Sequence, residues 1–380
     1  MKKCIEGSHA VAEVVRLCRP AVISVYPITP QTHIVEDLSK FKADGKASYE
    51  YVRSESEFAA ASIVLGASAT GVRTYTATSS QGLLLMSEVL FTIAGMRLPV
   101  VMTCANRAVS APINIWNDQQ DSLTVRDSGW IMFYGENNQE VIDLHILAFK
   151  VAEQTRLPVM INMDGFVLTH TFEPVDIPSI KEIKQFLPDY KAEVGQFLDV
   201  KNPKSLGAFA TPADYMALRE DLSKDINASK AVIKKELREF KKVFGRGSSD
   251  LVEYYGDKNA QTVFVAMGSL VGTIKDTVDE MNEAGQKTAV VKIKCLRPFP
   301  FQEVIKKLSK AKFVAVLDKS ISLGNEGILA TEIKAVAHKE IKAKIQSFVV
   351  GLGGRDITKK MVKDIAKKVK IGNGKLTFVK

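Results

Sequence analysis

The twelve residues from Phe58 to Ala69 carry no charge, and this constrains the chain more than any other stretch. A helix without a polar face is expected to be buried all round. Its amino end, with free N–H groups and the positive end of the dipole, then projects from the core into a cleft. Ser54-Glu55-Ser56-Glu57 opens this helix and sets Glu57 at that end. A second start, Thr78-Ser79-Ser80-Gln81-Gly82, follows the alternating strand Arg73 to Ala77 and leads into an apolar helix, Leu83 to Ala94. Two helix ends therefore face one place.

The chain around them alternates strand and helix. Gly7 to Cys18 reads as a helix ended by Pro20, and Ala21 to Tyr26 as a buried strand. Pro30 suits the first position of a helix running through Phe41, with Thr29 as its cap. Strands follow at 46–52, 73–77, 98–104, 130–134 and 158–163, so the fold class is α/β, a doubly wound, mostly parallel sheet. Right-handed crossovers put the segments after such strands on the carboxyl edge, where open sheets bind ligands. Thr29, Glu57, Ser79 to Gln81 and Arg107 all follow strands directly and are expected to share one rim.

From Phe172 to Leu206 the pattern breaks into an irregular, Pro- and Lys-rich excursion, and Pro212 to Val243 reads as one long charged helix. Gly245 to Ser249 is the most linker-like stretch. A second, smaller α/β unit follows. With 380 residues, two domains are expected, 1–246 and 250–380.

Hydrophobic residues at 46% and charged residues at 25% mark a soluble globular chain. The longest apolar tract, Gly82 to Met102, is broken by Glu88, Arg97 and Pro99, so no bilayer span is expected. Glu6, His9 and Glu13 interrupt any secretory leader. Cys4, Cys18, Cys104 and Cys295 are scattered without a C-x-x-C pair, which argues against zinc, iron–sulfur or a disulfide framework and suits a reducing cytoplasm. Of the net charge of +9, +7 lies between Arg355 and Lys380. Lysines there alternate with Ile357, Met361, Ile365 and Val369 at helical spacing and without aromatic residues. That is a solvated helix face, or a docking patch for an acidic partner, rather than a nucleic-acid surface.

Each candidate residue has a structural alternative. Ser54-x-x-Glu57 has capping-box spacing, yet a carboxylate at the mouth of a cleft beside an uncharged helix also suits a strong hydrogen bond to a heterocyclic N–H. Thr29 is an N-cap or part of a small-anion site. Arg107 is solvated or clamps a substrate carboxylate. Asn117 to Asp121 has the composition of a metal cluster, but no calcium-loop glycine or His ligand accompanies it, and turn and cap roles suit it better. Gly351-Leu352-Gly353-Gly354-Arg355-Asp356 lies between a strand and a helix but lacks the last Gly of G-x-G-x-x-G and the Lys of a P-loop.

Tyr26-Pro27-Ile28-Thr29-Pro30, Ser56-Glu57, Thr76 to Gly82, Ala105-Asn106-Arg107-Ala108, Asn114-Ile115-Trp116-Asn117-Asp118 and Gly353 to Asp356 occur in that order. Together they resemble the alpha subunit of pyruvate:ferredoxin oxidoreductase and of related 2-oxoacid:ferredoxin oxidoreductases. The resemblance implies a pyrimidine-type thiamine diphosphate-binding domain followed by a transketolase C-terminal-like domain, in which Leu296 to Pro300 forms a strand-to-helix turn. It implies that Glu57 bonds the aminopyrimidine and promotes the tautomer that deprotonates the thiazolium, that Thr29 and Arg107 hold the substrate carboxylate, and that backbone at Pro27 and Ile28 touches the cofactor. Pyruvate is the expected substrate, with 2-oxoisovalerate and 2-oxoglutarate as alternatives. Coenzyme A takes the acyl group and ferredoxin the electrons.

Members of this family often carry His where Gln119 stands, so no proton-transfer role is assigned to that position. The sequence has no Gly-Asp-Gly with a distant Asn pair for magnesium and diphosphate, and no cluster cysteines. The resemblance therefore implies partners: a beta subunit for the diphosphate half and Mg2+, a ferredoxin-like delta subunit carrying iron–sulfur clusters, and a gamma subunit. Two other readings are an NAD-linked 2-oxoacid dehydrogenase beta subunit, against which Asn114 to Asp118 and Gly353 to Asp356 speak, and a non-catalytic two-domain scaffold, which has no need of Glu57, Thr29 and Arg107 together.

Overall fold

A computed structural model describes residues 2–372 and 374–380. Its larger sheet has seven strands, in the order Cys295–Arg297, Ile131–Tyr134, Val159–Asp164, Val101–Asn106, Thr74–Thr78, Val22–Val25 and Glu50–Arg53. All neighbours pair in parallel except the first two, which are antiparallel. Every residue of the Thr74–Thr78, Val101–Asn106, Ile131–Tyr134 and Val159–Asp164 strands is buried. Helices cover both faces of such a sheet, which is why most of these strands read as near-continuous apolar runs.

A second sheet of six strands runs Thr377–Phe378, Lys344–Val349, Phe313–Asp318, Thr262–Ala266, Thr288–Ile293 and Val252–Gly256, only the last being antiparallel. The fold is the expected α/β architecture, with one unforeseen exchange. Cys295–Arg297, of which Leu296 and Arg297 read as part of a turn, crosses over and becomes the edge strand of the larger sheet.

The structure departs from the sequence reading at five places. The excursion is not irregular throughout: Phe172–Asp176 pairs antiparallel with Lys2–Glu6, and Ser179 caps a helix at Ile180–Phe186. Pro174 masks the strand in sequence but is tolerated in a two-stranded edge ribbon. The apolar helix after Thr78 breaks at Met86 into Ser80–Leu85 and Ser87–Gly95. The helix expected from Pro30 begins at Thr32, so Thr29 is not its cap. The Glu57–Ala69 helix is not covered all round, since Phe58 is 42% exposed and Gly66 meets open space. Finally, the linker-like stretch is pinned. Gly245 ends the long Pro212–Phe244 helix at φ 69°, and Arg246 bonds Asp143 at 2.9 Å and Asp176 at 3.1 Å.

The basic helix forms over Lys359–Ile371, burying Val362, Ile365, Ala366 and Val369. Its Lys359 and Lys363 bond Glu280 at 2.9 and 2.6 Å, so part of the lysine face is paired. Among the described residues no helix is long and apolar enough to cross a membrane.

Candidate active site

The larger sheet reverses its strand order between Val22–Val25 and Thr74–Thr78: the chain winds one way from the first strand and the other way from the second. Such a reversal leaves a crevice outside the carboxyl ends, because the two crossovers depart on opposite faces. The segments that meet there are Tyr26 to Gln31 and Ser79 to Gly82, flanked by Ser54 to Glu57 on one side and Arg107 on the other. Sequence reasoning expected this rim.

Glu57 is the first residue of its helix. Ser54 does not pair with it in a capping box. The Ser54 hydroxyl donates to the Val25 carbonyl at 2.9 Å, and Ser56 is the cap, accepting from the Ala59 N–H at 3.1 Å. Glu57 is 7% exposed, and its carboxylate has no hydrogen-bond or ion-pair partner among the described residues.

What lies against it is Gly82. A Cβ added there would sit 2.6 Å from Glu57 Oε1 and 2.6 Å from Thr78 Oγ1, so only glycine lets the two helix starts meet. Around this contact Thr78 Oγ1, Ser79 Oγ and Gln81 Nε2 are buried without partners among the described residues. A buried carboxylate, two hydroxyls and an amide left unpaired in one crevice are uncommon in a finished core, where buried polar atoms are nearly all bonded. They suit a polar heterocycle held edge-on.

Arg107 is 7% exposed and donates to the Thr29 carbonyl at 2.9 Å and the Asn114 carbonyl at 3.1 Å. Both acceptors are neutral, and among the described residues it has no ion pair. A buried guanidinium without an anion is costly, and Nη2 remains open to a carboxylate. Thr29 is exposed, and its hydroxyl is unpartnered among the described residues. Pro27 is exposed and Ile28 half-buried. The structure joins Thr29 to Arg107 and Glu57 to Gly82, on one rim.

Two residues that hold this rim escaped sequence reasoning. Gln31 is fully buried, and its amide donates to the Ala77 carbonyl at 2.6 Å, tying the two strand ends at the crevice. Asp121 is fully buried and accepts from the backbone N–H of Ser80 and of Arg107, each at 3.0 Å, and from Asn106 Nδ2 at 2.9 Å. It is a staple between the loops after two strands. The acidic composition of Asn117 to Asp121 was the available signal, and it carried no indication of which backbone groups the carboxylates would meet.

The rest of that loop faces the second sheet. Asp118 accepts from the Gly353 N–H at 3.2 Å, and Asn114 Nδ2 donates to the Gly353 carbonyl at 3.1 Å. Cβ atoms on Gly353 and Gly354 would approach Asn114 Nδ2 to 2.5 Å and Trp116 Cβ to 2.4 Å. The glycine-rich loop is therefore occupied by the Asn114 to Asp118 segment rather than left open for a phosphate. Gln119 donates to Asp164 at 3.1 Å, and Lys319, reaching across, bonds Asp164 at 3.1 Å and also Asn117. Burial alone would raise the Asp164 pKa, but Lys319 with the Ser269 and Gln119 donors draws it below the usual carboxylate range. Gln119 is thus part of a buried bridge between the sheets.

Comparisons with known proteins bear on the family. A family model described as pyruvate flavodoxin/ferredoxin oxidoreductase, thiamine diphosphate-binding, matches residues 13–238, and one described as pyruvate:ferredoxin oxidoreductase core domain II matches residues 260–362. The chain is 45% identical to pyruvate synthase subunit PorA of Methanothermobacter thermautotrophicus, over 99% of this chain and 97% of that one. It is 48% identical to the PorA of Methanosarcina barkeri, over 96% and 90%. Identity to ketoisovalerate oxidoreductase subunit VorA of Pyrococcus abyssi is 44%, over 99% and 96%. Among solved structures, a 2-oxoglutarate:ferredoxin oxidoreductase from Magnetococcus marinus superposes with TM-score 0.73 at 20% identity, covering 97% of this chain, which spans 65% of that one. Matched over nearly its whole length by these models and relatives, the chain belongs to the pyruvate:ferredoxin oxidoreductase family.

Proposed function

We propose that the chain is the alpha subunit of a pyruvate:ferredoxin oxidoreductase, which converts pyruvate and coenzyme A to acetyl-CoA and CO2 and passes electrons to ferredoxin. It acts as two units, residues 1–246 and 250–380, the first holding the aminopyrimidine half of thiamine diphosphate. The observation that carries this reading is the Glu57 carboxylate, buried and without a donor among the described residues, set in the space that Gly82 leaves.

The residues present fit the cofactor's ring. Thiamine diphosphate, when bound, supplies the electron sink that loss of CO2 from a 2-oxoacid requires. Glu57 would accept a hydrogen bond from a protonated ring nitrogen and so favour that form, backbone at Pro27 and Ile28 would lie against the ring, and Thr78, Ser79 and Gln81 would offer the remaining polar edge. Arg107 and the Thr29 hydroxyl hold the substrate carboxylate. The uncharged face of Phe58, Ser62 and Gly66, uncovered in the single chain, suits contact with a beta subunit that brings the diphosphate and Mg2+ to this crevice. The four cysteines are free, three of them buried, so electrons leave through clusters on a delta subunit, with a gamma subunit completing the complex.

Nearly equal identity to PorA and VorA relatives favours 2-oxoisovalerate as the second substrate reading. The test is anaerobic viologen reduction by the complex copurified with this chain, with pyruvate, 2-oxoisovalerate and 2-oxoglutarate in turn. Coenzyme A-dependent reduction with pyruvate, abolished by Glu57→Gln with assembly intact, is the expected result. Unchanged turnover in that variant would remove the catalytic role. A chain that draws down no cluster-bearing partners belongs to the scaffold reading.

A further inference from the structure

Three of the five histidines lie together, none of them among the residues named for the crevice. Glu6 ends the Lys2–Glu6 strand, His33 is the second residue of the Thr32–Ala43 helix, and His170 follows the loop after the Val159–Asp164 strand. Their ligand atoms all lie within 4.8 Å of one another. His33 Nδ1 is 2.7 Å from Glu6 Oε1, and the His33 and His170 rings stand 4.6 Å apart. The third histidine, His9, bonds Asp37 at 2.9 Å, and Glu6, His9, His33, Glu36 and Asp37 line a cleft of 320 Å³.

We propose that Glu6, His33 and His170 form a binding site for a divalent transition cation of the zinc type. Imidazole and carboxylate are the ligands such an ion takes, in a set of three with one position open to water. His170 Nδ1 lies 2.7 Å from Thr169 Oγ1, which also accepts the Phe166 N–H. In the tautomer with the proton on Nδ1, the ring donates to that hydroxyl and Nε2 keeps its lone pair for the ion, the orienting contact metal-bound histidines ordinarily have. Glu36 and Asp37 add negative charge to the approach. Atoms bound to one zinc stand roughly 3.4 Å apart in a tetrahedron, so His33 must back away from Glu6 and the widest pair must close. The His33 side chain is 46% exposed and can turn to do so.

The three ligands come from separate segments. His33 sits four residues after Thr29, so the ion would fasten the helix that begins behind the substrate turn to the amino-terminal strand and to the Asp164 loop. This assignment is independent of the proposed activity and stands or falls without it.

The test is a zinc titration of the chelator-treated complex against a competing chromophoric chelator. Wild type is compared with His33→Gln, His170→Gln and Cys4→Ser, the last because an exposed thiol lies on the same strand. One zinc per chain is expected, with affinity falling roughly tenfold or more in each histidine variant and unchanged in Cys4→Ser. Zinc K-edge absorption of the loaded wild-type complex is expected to report imidazole scattering, whatever the folding of the variants. No uptake, affinity equal to wild type in both histidine variants, or an all-sulfur shell would each overturn the proposal.

Discussion

Replacing Gly82 by alanine isolates the contact on which the site rests. The new methyl would lie 2.6 Å from Glu57 Oε1 and from Thr78 Oγ1, where ordinary contact begins at 3.4 Å. Thr78 is β-branched and on a fully buried strand, so it yields little, and the Glu57 carboxylate must shift by about 0.8 Å. Stability should fall by about 0–3 kcal/mol. Overpacking costs about 1–3 kcal/mol, and exchanging glycine for alanine inside a helix returns up to about 1 kcal/mol. Catalysis should register it strongly, because a misplacement of about 1 Å at a reacting group lowers rates about 100-fold, or about 2.7 kcal/mol of barrier. The assay is anaerobic viologen reduction with pyruvate and coenzyme A, beside thermal unfolding of the same complex. Turnover within about threefold of wild type would refute the reasoning, as would a fall in activity matched by general unfolding.

Arg107→Lys should raise the KM for the 2-oxoacid by about 10- to 100-fold, since a point charge replaces a planar fork already held by two carbonyls; a KM series with and without coenzyme A checks this. Lys319→Met leaves Asp164 buried without its cation and should cost about 3–5 kcal/mol in denaturant unfolding. The pH dependence of stability has a definite sign. Burial pushes Asp118 up to about 6 and Asp318 up to about 7. Both bind their protons more tightly folded than unfolded, so their contribution to stability is full near pH 4 and is lost as pH rises through about 6 and 7. Thermal unfolding between pH 5 and 8 should show this slope, and Asp318→Asn should flatten it.

The rim of the site was legible because it follows from strand order, and strand order follows from the alternation of buried runs with helices. Glu57 was legible as the amino end of an uncharged helix. What escaped was any role set by a partner distant in sequence. Asp121 bonds the N–H groups of Ser80 and Arg107, and nothing local announces it. The capping-box spacing at Ser54 gave way because the Ser54 hydroxyl finds the Val25 carbonyl first. The helix expected from Thr29 and Pro30 gave way to a turn in which Gln31, not Thr29, supplies the bonds. The face of Phe58, expected inside, is exposed because an uncharged helix does not by itself say which element lies against each of its faces.

The crossing strand at Cys295–Arg297 has a consequence for synthesis. The Ile131–Tyr134 strand, apolar and buried at every position, is an edge until Cys295 to Arg297 pair with it. A nascent chain long enough to fold its first half therefore exposes a sticky edge while well over a hundred further residues emerge. Expressing residues 1–246 alone should yield aggregates, which co-expression of the remainder should rescue.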